Sequence, residues 1–107
     1  MVASKTIAVA ELITRRRRQV LVHSVIYYRY NENLISDATW SEWASELEKL
    51  QAKYPELAAT LPLAQAFEGF DHSTGADLPL GDPWANGVAL YLLKLFNSKG
   101  DSKLCHS

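Results

Sequence analysis

Thiols are nearly absent from this sequence. Cys105 is the single cysteine in 107 residues, which excludes an internal disulfide framework and favours a reducing, cytoplasmic setting. Surplus charge is absent too. Eleven Lys and Arg stand against twelve Asp and Glu, a net charge of -1, so no overall basic field draws the chain to nucleic acid. No apolar run approaches the ~18–20 residues of a membrane span, and the N-terminus lacks the apolar core of a signal peptide. His23, His72, His106 and Cys105 show none of the paired spacings that zinc sites use. No serine, histidine and aspartate set reads as a triad, so the chain is expected not to be an enzyme. Glycine and proline are scarce, and neither occurs between Thr6 and Tyr30, which leaves nothing there to break a helix.

What remains is ample for one compact domain spanning residues 1–107, since 48% of the chain is hydrophobic. Ile7, Ala10, Ile13, Val20, Ser24 and Tyr27 recur at helical spacing and predict one long helix from Thr6 to Tyr30, with the arginine run as the place where it would bend. Asn31-Glu32-Asn33 breaks it. Ser36 or Asp37 is a suitable N-cap for a second helix. Trp40, Trp43, Ala44, Leu47, Leu50 and Tyr54 share one face of that helix. Pro55 disfavours helical geometry at Tyr54, so the helix ends near there and a short turn follows. Leu57, Leu61, Leu63 and Phe67 then lay a connecting segment over the hairpin. Residues 69–81 are rich in Gly, Asp, Ser, Thr and Pro and read as a loop. Asp82-Pro83 starts a third helix with Asp as N-cap and Pro at the first helical position. Trp84, Val88, Tyr91, Leu92 and Leu95 mark that helix, Ala85, Ala89, Leu93 and Phe96 widen its apolar face, and its end is expected near Asn97 or Gly100. Residues 1–5 and 100–107 are expected to be loose. The fold class is all-α: a helical hairpin, one aromatic-rich helix and one amphipathic helix, with a third helix packed on it after a polar loop.

Two clusters are candidate partner-binding sites. Arg15, Arg16, Arg17 and Arg18 sit at ~100° steps and form a collar around the helix rather than a stripe. They suit a phosphate or an acidic partner; the plainer alternative is a solvated helix segment with one arginine snorkelling past the core. The loop residues Asp71, His72, Ser73 and Thr74 offer carboxylate, imidazole and hydroxyls on a loop carried by a rigid scaffold, or else form an ordinary capped turn.

The hairpin residues also carry a resemblance. Tyr27-Tyr28, Ile35-Ser36-Asp37-Ala38, Trp40, Glu46-Leu47 and Tyr54-Pro55-Glu56-Leu57 resemble, in order and spacing, the N-terminal Ia domain of NAD-dependent DNA ligases. The run from Phe67 to Trp84 is similar instead to the tail of small stand-alone ligase-related proteins of phages and prophages. In the family this domain holds the nicotinamide mononucleotide half of NAD. The resemblance therefore implies a ligand site at Tyr27, Tyr28, Asp37, Trp40 and Ser41. Tyr27 and Asp37 match the family motif; Tyr28 stands for its histidine, Trp40 for its second tyrosine and Ser41 for its second aspartate. The alternative is that these aromatics are the core and rim of the hairpin. The nucleotidyltransferase motif Lys-x-Asp-Gly is approached only by Lys99-Gly100-Asp101-Ser102.

Two functions follow. The first is a non-catalytic, phage-type interaction module acting on a host ligase, replication or defence protein in the host cytoplasm. The alternative is a binder of NAD, nicotinamide mononucleotide or a related nucleotide, without turnover.

Overall fold

A computed structural model describes residues 2–73 and 75–104. The chain forms four helices in the order α1 (Val2–Tyr30), α2 (Asp37–Lys53), α3 (Pro55–Thr60) and α4 (Pro83–Leu104), with no strand among the described residues. The all-α expectation holds, and so does the hairpin. None of the helices is long and apolar enough to cross a membrane.

The long helix runs unbroken through the arginines and begins at Val2, ahead of the expected start. Asn31 ends it by taking a left-handed backbone (φ 53°), a conformation its short polar side chain tolerates. Glu32 N–H then folds back onto the Ile26 carbonyl at 3.1 Å. Six residues join it to α2, and the last of them, Ser36, caps that helix: its Oγ accepts from Thr39 N–H at 3.1 Å, satisfying one of the free amides of the first turn. The two helices run antiparallel, because Trp40 meets Ser24 near the connection while Glu46 meets Arg16 farther back.

Pro55 does end α2, but the residues after it do not form a turn. They form α3, because proline is well suited to the first helical position. Tyr54 serves both helices: its N–H donates to the Leu50 carbonyl and its own carbonyl accepts from Ala58 N–H, both at 2.9 Å. Residues 61–70 then cross the hairpin in short turns and bury Phe67 completely.

At Asp82 the prediction is met in detail, since its carboxylate accepts from Ala85 N–H at 2.8 Å. Two expectations for this last helix are corrected. It continues to Leu104, beyond Asn97 and Gly100, while 105–107 lie outside the described residues. The face it buries is Ala85, Ala89 and Leu93, leaving Trp84, Tyr91, Leu95 and Phe96 about half exposed. Small residues at four-residue steps let α4 lie close against its neighbour, which is why alanine rather than tryptophan takes the core positions. Two ends of the predicted first-helix seam also move outward, as Ile7 and Tyr27 are exposed.

The core joins Ile13, Val20, Leu21, Val25 and Ile26 of α1 to Ala44 and Leu47 of α2, Ala58 of α3, Phe67, Leu78 and the α4 residues just named. The molecule measures 55 × 30 × 26 Å.

Candidate functional site

At the connection between α1 and α2 the chain encloses a cleft of about 230 Å³. Tyr27, Tyr28, Asp37, Trp40 and Ser41 all line it, so the five ligand candidates of the sequence share one open space. It is not sealed beneath α4. Tyr27 and Tyr28 stand edge to face with centroids 4.9 Å apart and are 48% and 44% exposed. Each therefore keeps close to half of its surface in contact with solvent.

Trp40 is fixed from behind. Its Nε1 donates to Ser24 Oγ at 3.2 Å, with the Val20 carbonyl at 3.4 Å. Ser24, buried in α1, donates in turn to that same carbonyl at 2.6 Å. Gly75 presses on the pair from the loop: a Cβ there would lie 3.1 Å from Trp40 Cζ2 and would overlap the Ser24 hydroxyl. The plainer alternative for the aromatics is therefore true in part. Trp40 packs against the core and lines the cleft as well, whereas Tyr27 and Tyr28 lie outward.

Sequence reasoning missed several lining residues. His23 stands one helical turn before Tyr27 and follows from four-residue arithmetic, although nothing in its residue type alone marks it as part of a ligand site. Its Nδ1 is buried without a hydrogen-bond partner, and its ring tilts against Trp43 at 5.6 Å. Burial pushes its pKa down, because the charged form loses hydration. A depressed folded-state pKa gives stability that is full above the ordinary histidine pKa and is lost as pH falls through the folded value. Lowering pH from 7 to 5 is thus expected to reduce the urea midpoint of the wild type more than that of His23→Gln. Parallel midpoint-against-pH curves for the two proteins would contradict this.

Loop residues supply the remaining wall, through His72 and Ser73. His72 docks on α2, with its backbone N–H 2.8 Å and its Nδ1 2.7 Å from Glu48 Oε1. The hydrogen bonds from His72 hold the Glu48 carboxyl below its ordinary pKa. Asp71 is likewise held low by hydrogen bonds from the Ser73 hydroxyl and amide. These side chains close a turn and fasten it to the hairpin. Of the loop candidates, Thr74 lies outside the described residues.

The arginines do not act as one collar. Arg17 is 2% exposed, which corrects its assignment as a partner contact: no partner can reach it. Its guanidinium donates to Gln51 Oε1 at 2.8 Å and to the carbonyls of Ala58, Pro62 and Leu61 at 2.9, 3.0 and 3.3 Å. Arg16 pairs with Glu46 and donates to Gln19. Arg18 lies over the Trp84 ring at 5.7 Å. Arg15 and Arg18 keep exposed positions.

Comparison with known proteins gives one informative likeness. A DNA ligase of Methylococcus capsulatus (strain ATCC 33009 / NCIMB 11132 / Bath) is 39% identical over 49 residues, which is 46% of this chain and 7% of that ligase. No protein-family model matches, and no solved structure matches significantly. The chain spans only a small part of the ligase's length, and over just under half of its own residues it is similar to a DNA ligase.

Proposed function

We propose that this chain is a non-catalytic, DNA-ligase-like domain of the Ia type that binds the nicotinamide nucleoside end of NAD, nicotinamide mononucleotide or a related nucleotide without turning it over. The convergence of Tyr27, Tyr28, Asp37, Trp40 and Ser41 on one cleft carries this reading. A flat heteroaromatic ring is held by aromatic faces, and ribose hydroxyls by carboxylates and hydroxyls. At about 230 Å³ the space lies below the ~300–1,000 Å³ of drug-sized sites. It suits one ring and its sugar, with the rest of a dinucleotide outside. Among the described residues no lysine lines the cleft, and nucleotidyl transfer needs a lysine nucleophile. The alternative, an interaction module on a host ligase, replication or defence protein, has less support. Of its four arginines, Arg17 is buried and Arg16 is engaged within the molecule.

Titration calorimetry with millimolar nicotinamide mononucleotide, NAD and ATP tests the proposal. Saturable heat is expected with the nicotinamide ligands and not with ATP. Tyr27→Ala should weaken binding by about tenfold, since loss of an aromatic face is worth ~1–2 kcal/mol. Tyr27 is half exposed, so the variant should keep its helical circular dichroism. No heat with either nicotinamide ligand would end this reading.

A further inference from the structure

The charges around the cleft say more about its ligand than its shape does. Among the described residues, two carboxylates line it, Glu32 and Asp37, and no arginine or lysine does. Both are exposed, and neither takes part in an ion pair among the described residues. The other ionisable groups do not offset them. His23 is pushed towards its neutral form by burial, and His72 brings Glu48 with it. The N-terminus of α2 would ordinarily attract an anion. Here Ser36 Oγ already occupies Thr39 N–H, and Asp37 places a carboxylate in the first turn. The ring faces of Tyr27, Tyr28 and Trp40 add a surface that favours cations, because the negative face of an aromatic quadrupole attracts positive charge.

We infer that the cleft itself holds only ring and ribose and prefers a ligand cationic at its ring without a phosphate beside it: an N-ribosyl pyridinium nucleoside over its nucleotide, and the oxidised ring over the reduced one. This rests on the proposed function and narrows it. A phosphate held inside would face two carboxylates with no cation between them. A reduced ring would give up both the cation–π attraction and the attraction to Glu32 and Asp37.

The test is calorimetry at low salt on the full chain, using nicotinamide riboside, its reduced form and nicotinamide mononucleotide. The riboside is expected to bind about tenfold or more tightly than the mononucleotide, the equivalent of ~1.4 kcal/mol, and the reduced riboside to give no saturable heat. In Glu32→Gln/Asp37→Asn the gap between riboside and mononucleotide should narrow to about threefold or less, as the removed charges no longer discriminate. Circular dichroism confirms that the variant is folded; if it is not, raising salt on the wild type should narrow the same gap, because screening weakens exposed charge interactions. Mononucleotide binding as tight as riboside binding, or equal binding of both redox forms, overturns this inference and leaves the proposed function standing. Silence with all three overturns both.

Discussion

Replacing Arg17 by alanine is expected to cost about 3–5 kcal/mol of stability, much of what a domain of this size has. The effect has two sources. Truncation leaves a void among Phe67, Gln51 and α3, which the closely packed core cannot fill. It also removes a shared donor: the carbonyls of Ala58, Leu61 and Pro62 all accept from this guanidinium, and without it Ala58 and Leu61 keep one backbone donor each, at 3.4 and 3.2 Å. The last carbonyls of a helix have no partners within the helix. Arg17 caps the end of α3 from another element, 41 residues away in sequence at Ala58. Burial lowers its pKa, yet an arginine stays charged under any ordinary condition. Arg17→Lys should recover only a minor part of the loss, since a point cation lacks the planar fork that reaches Gln51 and three carbonyls together. Urea unfolding followed by tryptophan fluorescence measures this. An Arg17→Ala protein less than 1 kcal/mol below wild type would refute the account of the guanidinium as a cap.

The second large effect is at Gly75. An alanine there would drive its methyl group into Ser24 and Trp40, and neither can retreat, since one is in α1 and the other is hydrogen-bonded to it. Overpacking of this kind costs ~1–3 kcal/mol. The loop is expected to lift, withdrawing His72 and Ser73 from the cleft wall. Ser24→Ala removes the closest obstacle, so Gly75→Ala/Ser24→Ala should be more stable than the sum of the single variants implies. A coupling of about 1 kcal/mol is expected from such direct contact. Strict additivity of the two stability changes would show that the loop does not rest where the geometry places it.

Local signals in the sequence were reliable wherever the backbone decides the outcome. Ser36, Pro55 and Asp82-Pro83 mark real helix ends because capping oxygens and proline act within a few residues. The cleft was legible as well, through Tyr27, Asp37 and Trp40, since helical spacing carries them to the same end of the hairpin. Arg17 was not. It falls on the seam between Ile13 and Val20, a core position by spacing, but within a run of four arginines it is read as part of a collar, or at most as one side chain snorkelling past the core. The carbonyls that make its burial tolerable belong to α3, which the sequence did not reveal. The loop's contribution was hidden for the same reason: Glu48, Ser24 and Trp40 are brought to it only by tertiary packing. The division of α4 between core and solvent shows a different limit. Large side chains dominate a periodicity reading, whereas close helix contact selected Ala85 and Ala89.

The 55 Å long axis has a hydrodynamic consequence. A radius of gyration of 15.6 Å exceeds the roughly 13 Å of a spherical chain of 107 residues. A single copy therefore sweeps a larger volume as it tumbles and leaves a sizing column early, at the position of a heavier sphere. Its mass in solution has to be read from scattered light, which reports weight and not outline.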